Sequence, residues 1–142
     1  MTAMHAPGGG RGVLVALLVL GGFLPLPGAD ARTRLASGEW GGEHVRMSVG
    51  EAGAVLELDC AHGRVDEALV LDERGRFEAK GRFVREHGGP TRKDEAEGGA
   101  PALYRGSAEG SSLVLEIVVE EGAPLGPYRL TLGGRARLVK CR

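Results

Sequence analysis

The sequence predicts an all-β fold, an eight-stranded antiparallel up-and-down barrel, with a β-sandwich as the alternative. Three observations point there. From Gly38 onward, runs of apolar and polar alternation follow one another, glycine and proline punctuation divides them at short intervals, and no stretch holds a 3.6-residue period. Short connections force antiparallel neighbours, and a meander of eight strands can close on itself so that no edge is left exposed.

The N-terminal stretch reads as a removable export signal. Arg11 is followed by an uncharged run from Gly12 to Ala29 that is continuously apolar from Val13 to Leu20. Pro25 and Pro27 then break any helix, and Ala29-Asp30-Ala31 offers a small-x-small cleavage site. Cleavage is expected after Ala31, which makes 1–31 a signal peptide and 32–142 a single β-barrel domain. An uncleaved membrane anchor is the alternative, but Gly21-Gly22 and the prolines weaken a helix whose apolar run barely reaches the bilayer-spanning length. The expected location is the periplasm or extracellular space of a bacterium, without a membrane span after cleavage.

Strands are expected at 39–49, 54–60, 63–71, 75–86, 102–108, 112–120, 127–132 and 135–141. The clearest is 75–86, where Phe77, Ala79, Gly81 and Phe83 share one face and Arg76, Glu78, Lys80 and Arg82 the other. In 112–120, Leu113, Leu115, Ile117 and Val119 oppose Glu116 and Glu120, with Val114 and Val118 softening the outer side. Ala54, Leu56, Leu58, Val65, Leu69, Leu71, Tyr104, Gly106, Tyr128, Leu130, Leu132 and Leu138 complete the inward set. Charges at outward positions such as Glu57, Asp59 and Lys80 exclude a lipid-embedded barrel, whose exterior must be apolar. Small inward residues at Ala79, Gly81 and Gly106 either leave room for a ligand or make space for large neighbours, and a barrel of this size suits both. One long connection near 87–101, rich in glycine, proline and mixed charge, is expected to be a flexible loop.

Composition narrows the function classes. With 42% hydrophobic and 26% charged residues, the chain has the makeup of an ordinary globular domain. One tryptophan, two tyrosines and three phenylalanines are too few for a base-stacking platform, and a formal net charge of −1 without a basic cluster leaves no footprint for nucleic acid. The two cysteines, Cys60 and Cys141, are expected to pair in an oxidising compartment. Such a bridge closes a loop of about 80 residues, for which chain entropy gives roughly 4–5 kcal/mol as an upper figure.

No motif of enzyme chemistry is present: no Gly-x-Ser-x-Gly elbow, no phosphate-cradling Gly-x4-Gly-Lys-Ser/Thr, no His-Glu-x-x-His and no Cys-x-x-Cys. No catalytic residue and no cofactor are expected, and the protein is read as a non-enzyme. Metal binding has candidates in His44, His62 and His87, because Cys60-Ala61-His62 sets two zinc-ligand types two residues apart. The competing reading makes them polar residues of strand ends and turns, with Cys60 withdrawn into the disulfide.

Gly38-Glu39-Trp40 resembles the Gly-x-Trp that opens the calycin barrels. The resemblance implies that Trp40 plugs one barrel end, with Arg135 or Arg137 packing across it. Further along, Trp40-Gly41-Gly42-Glu43-His44, Asp59-Cys60-Ala61-His62-Gly63, Gly75-Arg76-Phe77, Gly88-Gly89-Pro90, Tyr104-Arg105-Gly106 and Lys140-Cys141 resemble small exported bacterial β-barrel proteins of unassigned function. That likeness implies one exported domain and brings no substrate or catalytic residue.

Two functional expectations follow. The first is a monomeric carrier or sensor that holds a small apolar ligand inside the barrel, with Trp40, Phe77, Phe83, Tyr104 and Tyr128 as wall residues. The second is a module that binds an envelope protein through loops at one barrel end, such as a periplasmic protease inhibitor or an envelope accessory factor. In size, export and Gly-x-Trp start the chain looks like the bacterial metalloprotease inhibitors, although its cysteine placement differs. The segments expected to carry such binding are Arg32 to Ser37 and His87-Gly88-Gly89-Pro90.

Overall fold

Burial alternates most cleanly where the sequence does. In a computed structural model of the chain, Phe77, Ala79, Gly81 and Phe83 are buried while Arg76, Glu78 and Lys80 face solvent. The structure describes residues 2–5, 8–10, 12, 22, 33–87 and 99–141. Most of the expected signal peptide falls outside these residues, as does most of the expected loop near 87–101; strand structure has already resumed at Ala100.

Eight strands run in chain order: β1 Gly38–Gly42, β2 Val45–Val49, β3 Ala54–Leu58, β4 Ala61–Val65, β5 Arg76–Arg85, β6 Ala100–Glu109, β7 Ser112–Val119 and β8 Leu125–Leu132. Each pairs antiparallel with its neighbours, and β8 returns to β1 through Trp40 with Leu132, Gly41 with Thr131 and Gly42 with Leu130. The result is the closed up-and-down barrel, not the sandwich. Among the described residues no helix is long and apolar enough to cross a membrane.

The strand count agrees with expectation, but three assignments behind it do not. The strand expected at 63–71 is Ala61–Val65, and Leu69 and Leu71 lie in the connection after it. Residues 39–49 form two strands joined at Glu43-His44, where His44 adopts φ 68°. This turn switches the inward parity: Trp40 points inward from an even position, whereas Val45, Met47 and Val49 do so from odd ones. A single strand cannot bury both sets, because its side chains alternate strictly. Segment 135–141 is not a barrel strand, since β8 already closes the ring. Its one ladder contact is a parallel bridge between Arg137 and Glu43.

The core is apolar, and no polar or charged residue among those described is buried in it. Trp40, Tyr104, Met47, Leu56, Leu113, Leu115, Ile117 and Val45 are the largest fully buried side chains. The N-terminal segment covers one end: Leu35 donates its N–H to the Leu69 carbonyl at 2.9 Å, and Leu71 donates to Thr33 at 2.7 Å. Leu35 and Leu69 are both buried there, so this segment belongs to the core. The C-terminal segment behaves differently. It crosses the outer face of β1, where a Cβ on Gly41 would collide with the Gly134 carbonyl, and runs on to the β3–β4 turn.

Candidate functional site

The barrel interior is the first place to look for a site, and its glycines decide what space it offers. A Cβ on Gly106 would strike the Phe77 ring, one on Gly63 the Tyr104 hydroxyl, and one on Gly81 the Arg64 carbonyl. These positions therefore make space for large neighbours and close backbone approach. Phe77, Phe83 and Tyr104 are buried with Trp40 in one cluster, and Tyr128 packs against it half-buried. The structure thus brings the five expected wall residues together as packed core.

The polar atoms of these aromatics are mostly satisfied within the fold. Trp40 Nε1 donates to the Ala36 carbonyl at 3.0 Å, and the Tyr104 hydroxyl donates to the Arg82 carbonyl at 2.6 Å. Burial pushes the Tyr104 phenol well above its ordinary range. Tyr128 is raised by burial too, and secondarily by the Asp59 charge. Arg135 and Arg137 are exposed, and Arg137 lies 3.4 Å from Glu43. Trp40, at 0% exposure, is covered by the fold's own apolar residues.

One cavity lies on the outer wall. It is an open groove of about 700 Å³ between the β4–β5 connection and the faces of β5, β6 and β7. Val70 and Val114 supply apolar surface and the backbone at Phe77 and Gly106 lines the floor, while Arg76, Glu78, Arg105, Glu116 and Asp72 supply charge. Register sets Glu78, Arg105 and Glu116 in one row across three strands, so Arg105 stands between two carboxylates. Arg105 Nη2 reaches Glu116 at 3.4 Å, and its Nε is buried without a hydrogen-bond partner. Asp72 is held below the ordinary carboxylate range by the N–H of Arg76 and then by that of Arg74. Those two bonds, at 2.9 and 2.8 Å, shape the turn at the groove's edge, which Gly75 completes with φ 77°.

A second polar cluster surrounds the disulfide. Cys60 and Cys141 are bridged, with Cα atoms 5.2 Å apart. His44 Nδ1 lies 2.6 Å from Asp59 Oδ2, and His62 Nδ1 lies 2.9 Å from Glu86 Oε1. Lys140 Nζ donates to the Leu58 carbonyl at 3.0 Å and lies 3.5 Å from Glu86 Oε2. The Val139 N–H, and after it His44, draws the Asp59 carboxyl below its ordinary range; His62 and then Lys140 do the same to Glu86. His87 is exposed at the end of the described β5 region. Among the described residues no group of three His, Cys, Asp or Glu side chains is placed to hold a metal ion. His44 and His62 each serve a separate carboxylate on a turn or strand surface.

No protein-family model matches this chain, and neither the curated proteins nor the solved structures give a match. Reading of the sequence missed Asp59, Glu86, Lys140 and Arg105 as members of these clusters. Asp59 and Lys140 are the immediate chain neighbours of Cys60 and Cys141, so a disulfide between the cysteines brings both near it. Glu86 and Arg105 carry no such local signal, because cross-strand register determines their partners. A disulfide-bonded pair is itself compatible with an oxidising, exported location.

Proposed function

We propose that this protein is an exported, non-enzymatic binding module that engages an envelope partner through its outer wall, at the groove of β5, β6 and β7. One observation supports the outer wall over the interior: the space beside the inward glycines Gly63, Gly106 and Gly81 is taken up by Tyr104, Phe77 and the Arg64 carbonyl. The groove combines the apolar side chains of Val70 and Val114 with charges of both signs, a mixture suited to a protein surface. The disulfide supports periplasmic or extracellular residence after removal of 1–31. Of the two segments expected to carry binding, the N-terminal one has Leu35 buried in the core, and Gly88-Gly89-Pro90 of the other lies outside the described residues.

Site-specific photo-cross-linking in cells tests it. A cross-linker at Ser107, on the groove, is expected to trap a discrete adduct, while one at Ser48, on the opposite wall, is not. Saturable quenching of Trp40 by an apolar probe such as N-phenyl-1-naphthylamine, with no adduct from Ser107, would return the weight to an internal ligand.

A further inference from the structure

The C-terminal segment is fastened to a barrel that is complete without it. The ladder closes through β8 and β1, and among the described residues no core residue lies beyond Leu132. Residues 135–141 contribute no buried side chain, since Ala136 and Leu138 are only half-covered. What holds them besides the disulfide is polar and peripheral. Arg137 donates its N–H to the Gly42 carbonyl at 3.0 Å and accepts from the His44 N–H at 2.8 Å. The Val139 N–H reaches Asp59 Oδ1 at 2.7 Å, and the Cys141 N–H reaches the Asp59 carbonyl at 3.3 Å. Side-chain ties at the surface, such as Arg137 to Glu43, contribute little each.

We propose that the Cys60–Cys141 bridge is a redox latch: a dithiol reductant frees residues 135–141 from the barrel while the eight-stranded ring stays folded. Cys141 is exposed and Cys60 half-buried, so the outer sulfur is the accessible one. One thiolate of the reductant attacks Cys141 Sγ, the Sγ–Sγ bond breaks, and Cys60 leaves as a thiolate that takes up a proton. The second thiol of the reductant then attacks the mixed disulfide and releases Cys141, which is also protonated. Two electrons and two protons pass to the protein, and the dithiol becomes a disulfide. Release uncovers the Gly41 face of β1 and frees the Gly42 carbonyl and the His44 N–H, a short backbone edge that the segment otherwise occupies.

Hydrogen exchange and carboxypeptidase Y digestion, each with and without dithiothreitol, test the latch on the purified oxidised protein. On reduction, protection of the Arg137, Val139 and Cys141 amides is expected to fall at least tenfold, and trimming to extend past Lys140. Protection of Leu113, Leu115 and Ile117 and the emission of Trp40 are expected to stay unchanged. A variant carrying Cys60→Ser and Cys141→Ser is expected to show the released state without reductant. A reduced protein whose C-terminal amides keep their protection overturns the proposal. So does one whose Trp40 emission moves to the red as the barrel opens, and so does a double variant that cannot fold.

Discussion

The Asp59 carboxylate accepts the backbone N–H of Val139 at 2.7 Å, across 80 residues of chain. Its second oxygen lies 2.6 Å from His44, so one side chain ties the β3–β4 turn to both the β1–β2 turn and the C-terminal segment. Glu86 performs a parallel service for His62 and Lys140. The charged groups around the disulfide thus fasten a terminal segment to the barrel.

This fastening has a pH dependence of definite sign. Asp59 is drawn down chiefly by the Val139 N–H, and Glu86 chiefly by His62. A carboxylate depressed in the folded protein contributes stability that is complete above the ordinary carboxylate range, about pH 4–5, and is lost as the pH falls through its lowered value. The Val139 amide resonance is therefore expected to titrate with a midpoint below the ordinary aspartate value and to lose that titration in Asp59→Asn. A midpoint at or above that ordinary value would contradict the bond.

Gly41 is where the C-terminal segment passes closest to the barrel wall, with the Gly134 carbonyl and the Ala136 nitrogen over its Cα. Gly41→Val adds bulk between two backbones that cannot both stay in place. The expected result is a displaced C-terminal segment on a barrel that still folds, with Arg137 and Val139 amides less protected even while the disulfide is intact. Unchanged protection of those amides would show that the approach at Gly41 is not tight.

Inside the barrel, Gly63 and Tyr104 form a complementary pair, because the phenol hydroxyl occupies the space a side chain at Gly63 would take. Overpacking a filled core typically costs about 1–3 kcal/mol, so Gly63→Ala is expected to lose stability in that range. Tyr104→Phe removes the oxygen together with its bond to the Arg82 carbonyl. In a double-mutant cycle measured by urea denaturation, Gly63→Ala should cost less in the Tyr104→Phe background than in the parent. Strictly additive losses would count against the steric pairing.

Trp40, the one tryptophan, reports on the interior. Fully buried and bonded to Ala36, it is expected to emit at short wavelength and to resist acrylamide quenching until the barrel unfolds. Trp40→Ala should cost about 3–5 kcal/mol, as loss of a large core aromatic does, which is a major share of a small domain's stability. Ready quenching in native buffer would indicate an open interior.

The barrel was legible because alternation is a local signal. Phe77 to Phe83 and Leu113 to Ile117 announce their inward faces within a few residues, and short glycine-containing turns between such runs force antiparallel neighbours. The hairpin at Glu43-His44 was legible in principle as well: the change from even Trp40 to odd Val45 and Met47 marks the turn. Small residues run on through Gly41-Gly42 without a break in composition, which masks that turn. The two-residue spacing of Ala136 and Leu138 about Arg135 and Arg137 has the opposite effect, suggesting a strand where the ring has no place left for one.

By itself the sequence determined the all-β class, the antiparallel order of neighbouring strands and the expectation that its two cysteines pair, each of which rests on short-range pattern or on simple counting, while closure into a barrel rather than a sandwich was decided by the tertiary structure. Tertiary structure alone decided that the glycines of the interior are filled by Tyr104 and Phe77, that Arg105 stands between Glu78 and Glu116, and that the last residues lie outside the barrel. The physical reason is range. Period-two burial is written into neighbouring residues, whereas cavity filling, cross-strand charge rows and the course of a terminal segment depend on register between strands far apart in the chain.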